Sequence, residues 1–125
     1  MSRLGRRLIT TVVVTWVSML LCMNPAFAHA FPVKSSPRVG ATVASSPKEV
    51  RIWFDADIYP QFSRITVTNQ AGQVVSEGSS RVPANNSALL EIKVRPLTQG
   101  QYWVTWSVVA HDGHHTEGKF PFSVR

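Results

Sequence analysis

Between residues 49 and 125, several runs of the chain place apolar side chains at every second position. That period is satisfied by strands with one buried face and not by a helix. Val50, Ile52 and Phe54 alternate with Arg51 and Trp53, and Ile65 and Val67 with Arg64, Thr66 and Thr68. Leu90, Ile92 and Val94 alternate with Glu91, Lys93 and Arg95. Gln101–Val109 is the longest such run, with Tyr102, Val104, Trp106 and Val108 on one face, and Phe120, Phe122 and Val124 form the last. Asn69–Gly72 and Pro96–Gly100 read as turns, Val74-Val75 as a short strand and Pro83–Ser87 as a polar loop. Pro32, Pro37, Gly40 and Pro47 keep the preceding stretch extended or looped. Short strands at this spacing predict an all-β protein, an immunoglobulin-like Greek-key β-sandwich of about seven strands. Tyr102 opens its strand after a glycine turn, which fits either a tyrosine corner or an ordinary core tyrosine.

The first 28 residues follow another rule. Arg3, Arg6 and Arg7 precede an uncharged, mostly apolar run from Leu8 to Met23, and Ala26-Phe27-Ala28 is a small-x-small signal. This is the three-part pattern of a secretory signal peptide, cleaved after Ala28. Two other readings fit less well. The apolar run is short for a membrane anchor, which needs ~20 residues. Cys22 as a lipidation site is disfavoured by the bulky Leu21 before it. The predicted organisation is therefore a signal peptide over 1–28 and one domain over 29–125, exported to the periplasm.

Cleavage changes what the composition means. The whole chain has 13 basic and 7 acidic residues, a net charge of +6. Removing three arginines and no carboxylates leaves +3, with no Lys/Arg cluster to track phosphates, so a nucleic-acid partner is not expected. The single cysteine and all three methionines, Met1, Met19 and Met23, leave with the signal, while all four histidines stay. The mature domain has no sulfur, so neither a disulfide nor a thioether Cu(I) site is available to it.

The histidines carry the chemistry. Cleavage makes His29 the first residue, whose α-amine and ring Nδ1 can close one chelate ring on a metal without help from the fold. With reference pKa values near 8 and 6.5, both groups are deprotonated by a strong Lewis acid at neutral pH. The second cluster is Ala110-His111-Asp112-Gly113-His114-His115. In extended chain Asp112 and His114 share a face, while His111 and His115 do not. An amine, two imidazoles and a carboxylate suit Cu(II) in tetragonal geometry, and zinc accepts the same donors. An Asp-Gly dipeptide is also a common turn signal, and histidines after a strand are equally a solvated loop.

The chain resembles the CopC family of periplasmic copper-resistance proteins, including its YobA-like members. The resemblance rests on His29 behind the signal, Ser36-Pro37-x-x-Gly40-Ala41, Val50-Arg51-Ile52-Trp53-Phe54 and Gln61-Phe62-Ser63. It continues through Leu97-Thr98-x-Gly100-x-Tyr102-x-Val104-x-Trp106, Asp112-Gly113-His114, Gly118 and Phe120-x-Phe122-x-Val124. It implies an immunoglobulin-like sandwich holding one Cu(II) per chain through the amine and ring of His29, the carboxylate of Asp112 and the ring of His114. Some relatives add an acidic ligand after the first long strand; here Ala56 stands at that place, flanked by Asp55 and Asp57, for which surface solvation is the default. The implied role is a periplasmic copper carrier or buffer in copper resistance or homeostasis, delivering to a separate CopD-type membrane partner.

Two other functional classes compete. A histidine-brace copper monooxygenase also uses an N-terminal histidine on such a sandwich, with Trp53 and Trp103 as stacking residues. A domain of this size leaves little room for a polysaccharide platform, however, and a carboxylate at the copper would occupy the position oxygen needs. No enzyme activity and no polysaccharide partner are therefore expected. A non-metal immunoglobulin-like interaction module would be indifferent to His29. In all readings His111 and His115 are by default solvated rim residues.

Overall fold

The computed structural model describes residues 29–125; the export signal expected over 1–28 lies outside the described residues. The described chain forms eight strands: β1 Pro32–Ser36, β2 Thr42–Val43, β3 Glu49–Phe54, β4 Arg64–Asn69, β5 Ser76–Arg81, β6 Leu89–Val94, β7 Gly100–Val109 and β8 His115–Val124. A single 3-10 turn, Pro60–Phe62, precedes β4. The strands lie in two four-stranded sheets, ordered β1-β3-β6-β5 and β2-β8-β7-β4. All pairings are antiparallel except β2 with β8. The all-β sandwich is thus as expected, with the two-residue β2 as an additional strand.

The alternation read from the sequence becomes the interface between the sheets. Val50, Ile52 and Phe54 of β3 and Leu90, Ile92 and Val94 of β6 are buried from one side. Tyr102, Val104, Trp106 and Val108 of β7 meet them from the other with Phe120, Phe122 and Val124 of β8. The rings pair as well: Phe54 meets Trp106 edge-on at 5.4 Å, and Tyr102 stacks on Phe122 at 5.6 Å. The Tyr102 hydroxyl donates to the Thr98 carbonyl at 2.7 Å, so this residue is a tyrosine corner, tying the β7 start to the turn before it.

The outer faces carry the charges. Glu91 is buried on β6 beneath Arg51, which approaches at 3.1 Å, and Arg81. Trp53 and Trp103 also face outward, each covered by cations: Lys34 and Arg51 over Trp53, and Lys119 over Trp103.

One strand departs from the sequence reading. Val74 and Val75 do not lie in a strand; Val74 makes an isolated bridge to Thr68, and β5 begins at Ser76. β5 reads Ser-Glu-Gly-Ser-Ser-Arg and is largely exposed, an edge strand that joins its sheet by backbone pairing with β6. With no apolar face to bury, it has no period to read.

Candidate metal centre

The donor atoms of His29, Asp112 and His114 lie within 4.8 Å of one another, and among the described residues this is the one group of its kind. The residues come from opposite ends of the domain. His29 precedes β1, while Asp112 and His114 sit in the turn between β7 and β8.

That turn corrects the expectation for the pair. Asp112 and His114 do not converge through strand alternation, because β7 ends at Val109 and β8 begins at His115. A tight turn does it instead. Gly113 takes φ 87°, a left-handed conformation that favours glycine. Its N–H donates to the Ala110 carbonyl at 2.8 Å, and the Ala110 N–H donates to the His114 carbonyl at 2.9 Å. The Asp112 carboxylate then folds back over its own turn, accepting from the His114 backbone N–H at 2.9 Å and facing His114 Nδ1 at 3.0 Å.

Those contacts set the electrostatics. The His114 backbone N–H, then its ring, hold the Asp112 carboxyl below the ordinary carboxylate range, with the His29 imidazole adding a weaker pull. Asp112 therefore needs no deprotonation to offer an oxygen at neutral pH. Its side chain keeps 11% exposure, whereas the His114 side chain keeps 52%. The His29 and His114 rings meet edge-on with centroids 4.2 Å apart.

The N-terminal arm is held by backbone contacts that the sequence did not announce. Ala30 is fully buried, and its carbonyl accepts from the Thr116 hydroxyl at 2.6 Å. Phe31 is clamped twice by Asp55: its N–H donates to Asp55 Oδ1 at 2.7 Å, and its carbonyl accepts from the Asp55 N–H at 3.0 Å. The same segment braces the opposite half of the cluster. The His111 N–H donates to the Asp57 carbonyl at 3.0 Å, the Tyr59 N–H donates to the Val109 carbonyl at 2.8 Å, and Ile58 bridges Ala110. Residues 55–59 therefore span both pieces, gripping the arm at one end and the turn at the other.

The flanking residues take other roles. Asp57 Oδ1 accepts from the Ser87 hydroxyl at 2.6 Å, and Ala56 packs against the core. Neither Asp55 nor Asp57 belongs to the three-residue group. His111 lies against Tyr59 with centroids 4.5 Å apart, and His115 Nε2 meets the Ser107 hydroxyl at 2.7 Å. Both point away from the cluster into contacts of their own.

Residues 32–125 match the model of the CopC domain. The chain is 32% identical to Copper resistance protein C of Xanthomonas campestris pv. juglandis, covering 96% of this chain and 97% of that protein. It is also 32% identical to the copper transport protein CutJ of Bacillus subtilis across 87% of this chain, spanning 21% of that longer protein. Among solved structures, CopC from Methylosinus trichosporium OB3b superposes with a TM-score of 0.73 at 33% identity, covering 77% of this chain and 93% of that one. PcoC, a methionine-rich copper resistance protein from Escherichia coli, gives 0.68 at 26% identity, covering 78% of this chain and all of that one. Sequence, sandwich topology and matched span agree: the chain belongs to the CopC family of copper-resistance proteins.

Proposed function

We propose that this protein is a periplasmic Cu(II) carrier or buffer that binds one ion between its N-terminal arm and its β7–β8 turn. The observation carrying this reading is the convergence of His29, Asp112 and His114 from opposite ends of the domain. Cleavage after Ala28 would turn the His29 backbone nitrogen into a free amine. The ligand set is then that amine, the two imidazoles and the Asp112 carboxylate: hard and borderline donors of the kind Cu(II) takes in a tetragonal field. The described residues contain no sulfur, so the thioether chemistry that retains Cu(I) is absent from them.

The placement favours carriage over catalysis. His29 and His114 lie at the surface, so an incoming ligand from a CopD-type membrane partner can reach the ion without the domain opening. Trp53 and Trp103, the residues an oxidative polysaccharide enzyme would use for stacking, are covered by Lys34, Arg51 and Lys119. Among the described residues no helix is long and apolar enough to cross a membrane.

The test is a Cu(II) titration of protein shown by mass to begin at His29, beside protein carrying one extra residue before it. One equivalent bound with nitrogen hyperfine structure in EPR, and at least ~100-fold weaker binding by the extended form (about 2.7 kcal/mol), is expected. Equal binding by both forms would remove the His29 amine from the site. No binding by either would leave the interaction-module reading.

A further inference from the structure

Away from the metal centre, a groove of about 750 Å³ opens along the seam where the edge of β1 faces the edge of β8. Its walls include Val33 and Val39, which are among the most exposed apolar residues of the domain, at 65% and 66%. Its floor is the edge of the core itself, Trp106 and Phe120. Gly118 opens it: a Cβ there would lie 2.6 Å from the Trp106 ring, so only glycine lets the indole lie against β8. Lys34, Arg38 and Lys119 are the charged residues of the lining; the Lys34 and Lys119 ammonium groups rest over Trp53 and Trp103, and no carboxylate pairs with any of the three among the described residues.

One wall of this groove is an unpaired strand edge. The Ser123 N–H donates to the Ala41 carbonyl, the Arg125 N–H to the Val43 carbonyl, and Pro121 accepts from the Gly40 N–H. Odd-numbered residues of β8 therefore turn their backbone groups away from β7, and the β7–β8 register runs without a shift to His115. The cover supplied by β2 and Gly40 ends at Pro121. Below it, the N–H and carbonyl groups of Glu117 and Lys119 face outward with no backbone partner among the described residues.

We propose that this groove docks an extended, acidic segment of a partner protein, added as a strand to the free edge of β8. The backbone of Glu117 and Lys119 supplies the ladder, which selects a polypeptide over a small molecule. An apolar side chain of the segment enters over Trp106 and Phe120, and its carboxylates meet Lys34, Arg38 and Lys119. The inference stands apart from copper binding, since none of these residues belongs to the metal cluster.

The experiment pans a random-peptide display library against the metal-free domain and maps the selected peptides by amide NMR, with octanoate as a small amphipathic anion beside them. Peptides alternating carboxylates with apolar residues are expected, perturbing the Glu117 and Lys119 amides. The double variant Arg38→Glu/Lys119→Glu should bind them at least ~tenfold more weakly. The charge-matched Lys93→Glu/Arg95→Glu, on β6 and just beyond it, should bind them unchanged. Three results would overturn the proposal: no acidic selection, selected peptides whose shifts fall elsewhere, or a groove that octanoate fills and no peptide enters.

Discussion

The sandwich interior and the tip that carries His29, Asp112 and His114 are built by opposite means. Inside, side chains hold the structure: β3, β6 and β7 each turn an unbroken apolar row inward, and β8 adds Phe120, Phe122 and Val124. At the tip, backbone groups hold it: the Phe31 and Ala30 amide groups, the Ala110–His114 turn and the carbonyls of Asp57 and Val109. The interior is insensitive to which apolar residue fills a place provided volume is kept. The tip depends on where each hydrogen bond falls, because a chelate assembled from two separate pieces works only when both are fixed. Stability and metal affinity should therefore be separable by mutation.

The largest expected effect lies in the interior. Phe122 is 1% exposed, and Phe122→Ala should cost about 3–5 kcal/mol in urea unfolding. The molecules still folded should bind one copper with near-native affinity; a parallel collapse of affinity would break the separation. Next comes the tip itself. His114→Ala should weaken Cu(II) by ~100-fold, or about 2.7 kcal/mol, measured by competition with a chelator. The apo unfolding midpoint should barely move, since exposed substitutions fall within about 0.5 kcal/mol.

Asp55 tests the contacts between the two regions. It is outside the proposed ligand set, yet it clamps Phe31 twice. Asp55→Ala should weaken copper by about tenfold while the apo protein loses ~1 kcal/mol, one hydrogen bond's worth. Asp55→Asn keeps an acceptor oxygen and should recover most of the affinity. If neither variant changes copper binding, the arm is ordered by its backbone bond to the Asp55 N–H and by Thr116, without the Asp55 carboxylate.

The smallest effect is a pH dependence. Asp112 has a depressed pKa in the folded state, so its ionised carboxylate stabilises the turn above the unfolded value, about 3.9, and that stability is lost as pH falls through the folded value. The native apo protein should melt slightly above Asp112→Asn at pH 7 and pH 5, and the gap should narrow as pH falls below the ordinary carboxylate value, about 3.9. A constant gap would place the effect of Asp112 in something other than its charge.

This division explains what the sequence could tell. The sheets were legible because burial leaves a period of two: Tyr102 through Val108 announces β7 with no other information. β5 was not, because an edge strand with two wet faces leaves no pattern. The three cluster residues were legible as chemistry, through residue type and, for His29, its place beside the expected cleavage point. Their convergence was legible only as a family resemblance, and the strand alternation invoked for Asp112 and His114 was the wrong local geometry; Gly113, already noted between them, marked the turn. Asp55 was read by default as a solvated surface carboxylate, whereas it holds Phe31. Backbone clamps of this kind involve ordinary residues at long separations, and nothing in residue type or spacing reports them.

The central claim is that one ion joins the N-terminal arm to the β7–β8 turn. Paramagnetic broadening by Cu(II) in the NMR spectrum of protein beginning at His29 tests it most directly. Signals of His29, Ala30, Asp112, Gly113 and His114 should vanish together, in proportion to copper, and completely at one equivalent. The groups around Phe122 and the exposed strand β5 should stay sharp. Loss of the turn signals while those of His29 and Ala30 persist, or of His111 and His115 ahead of His114, would contradict it.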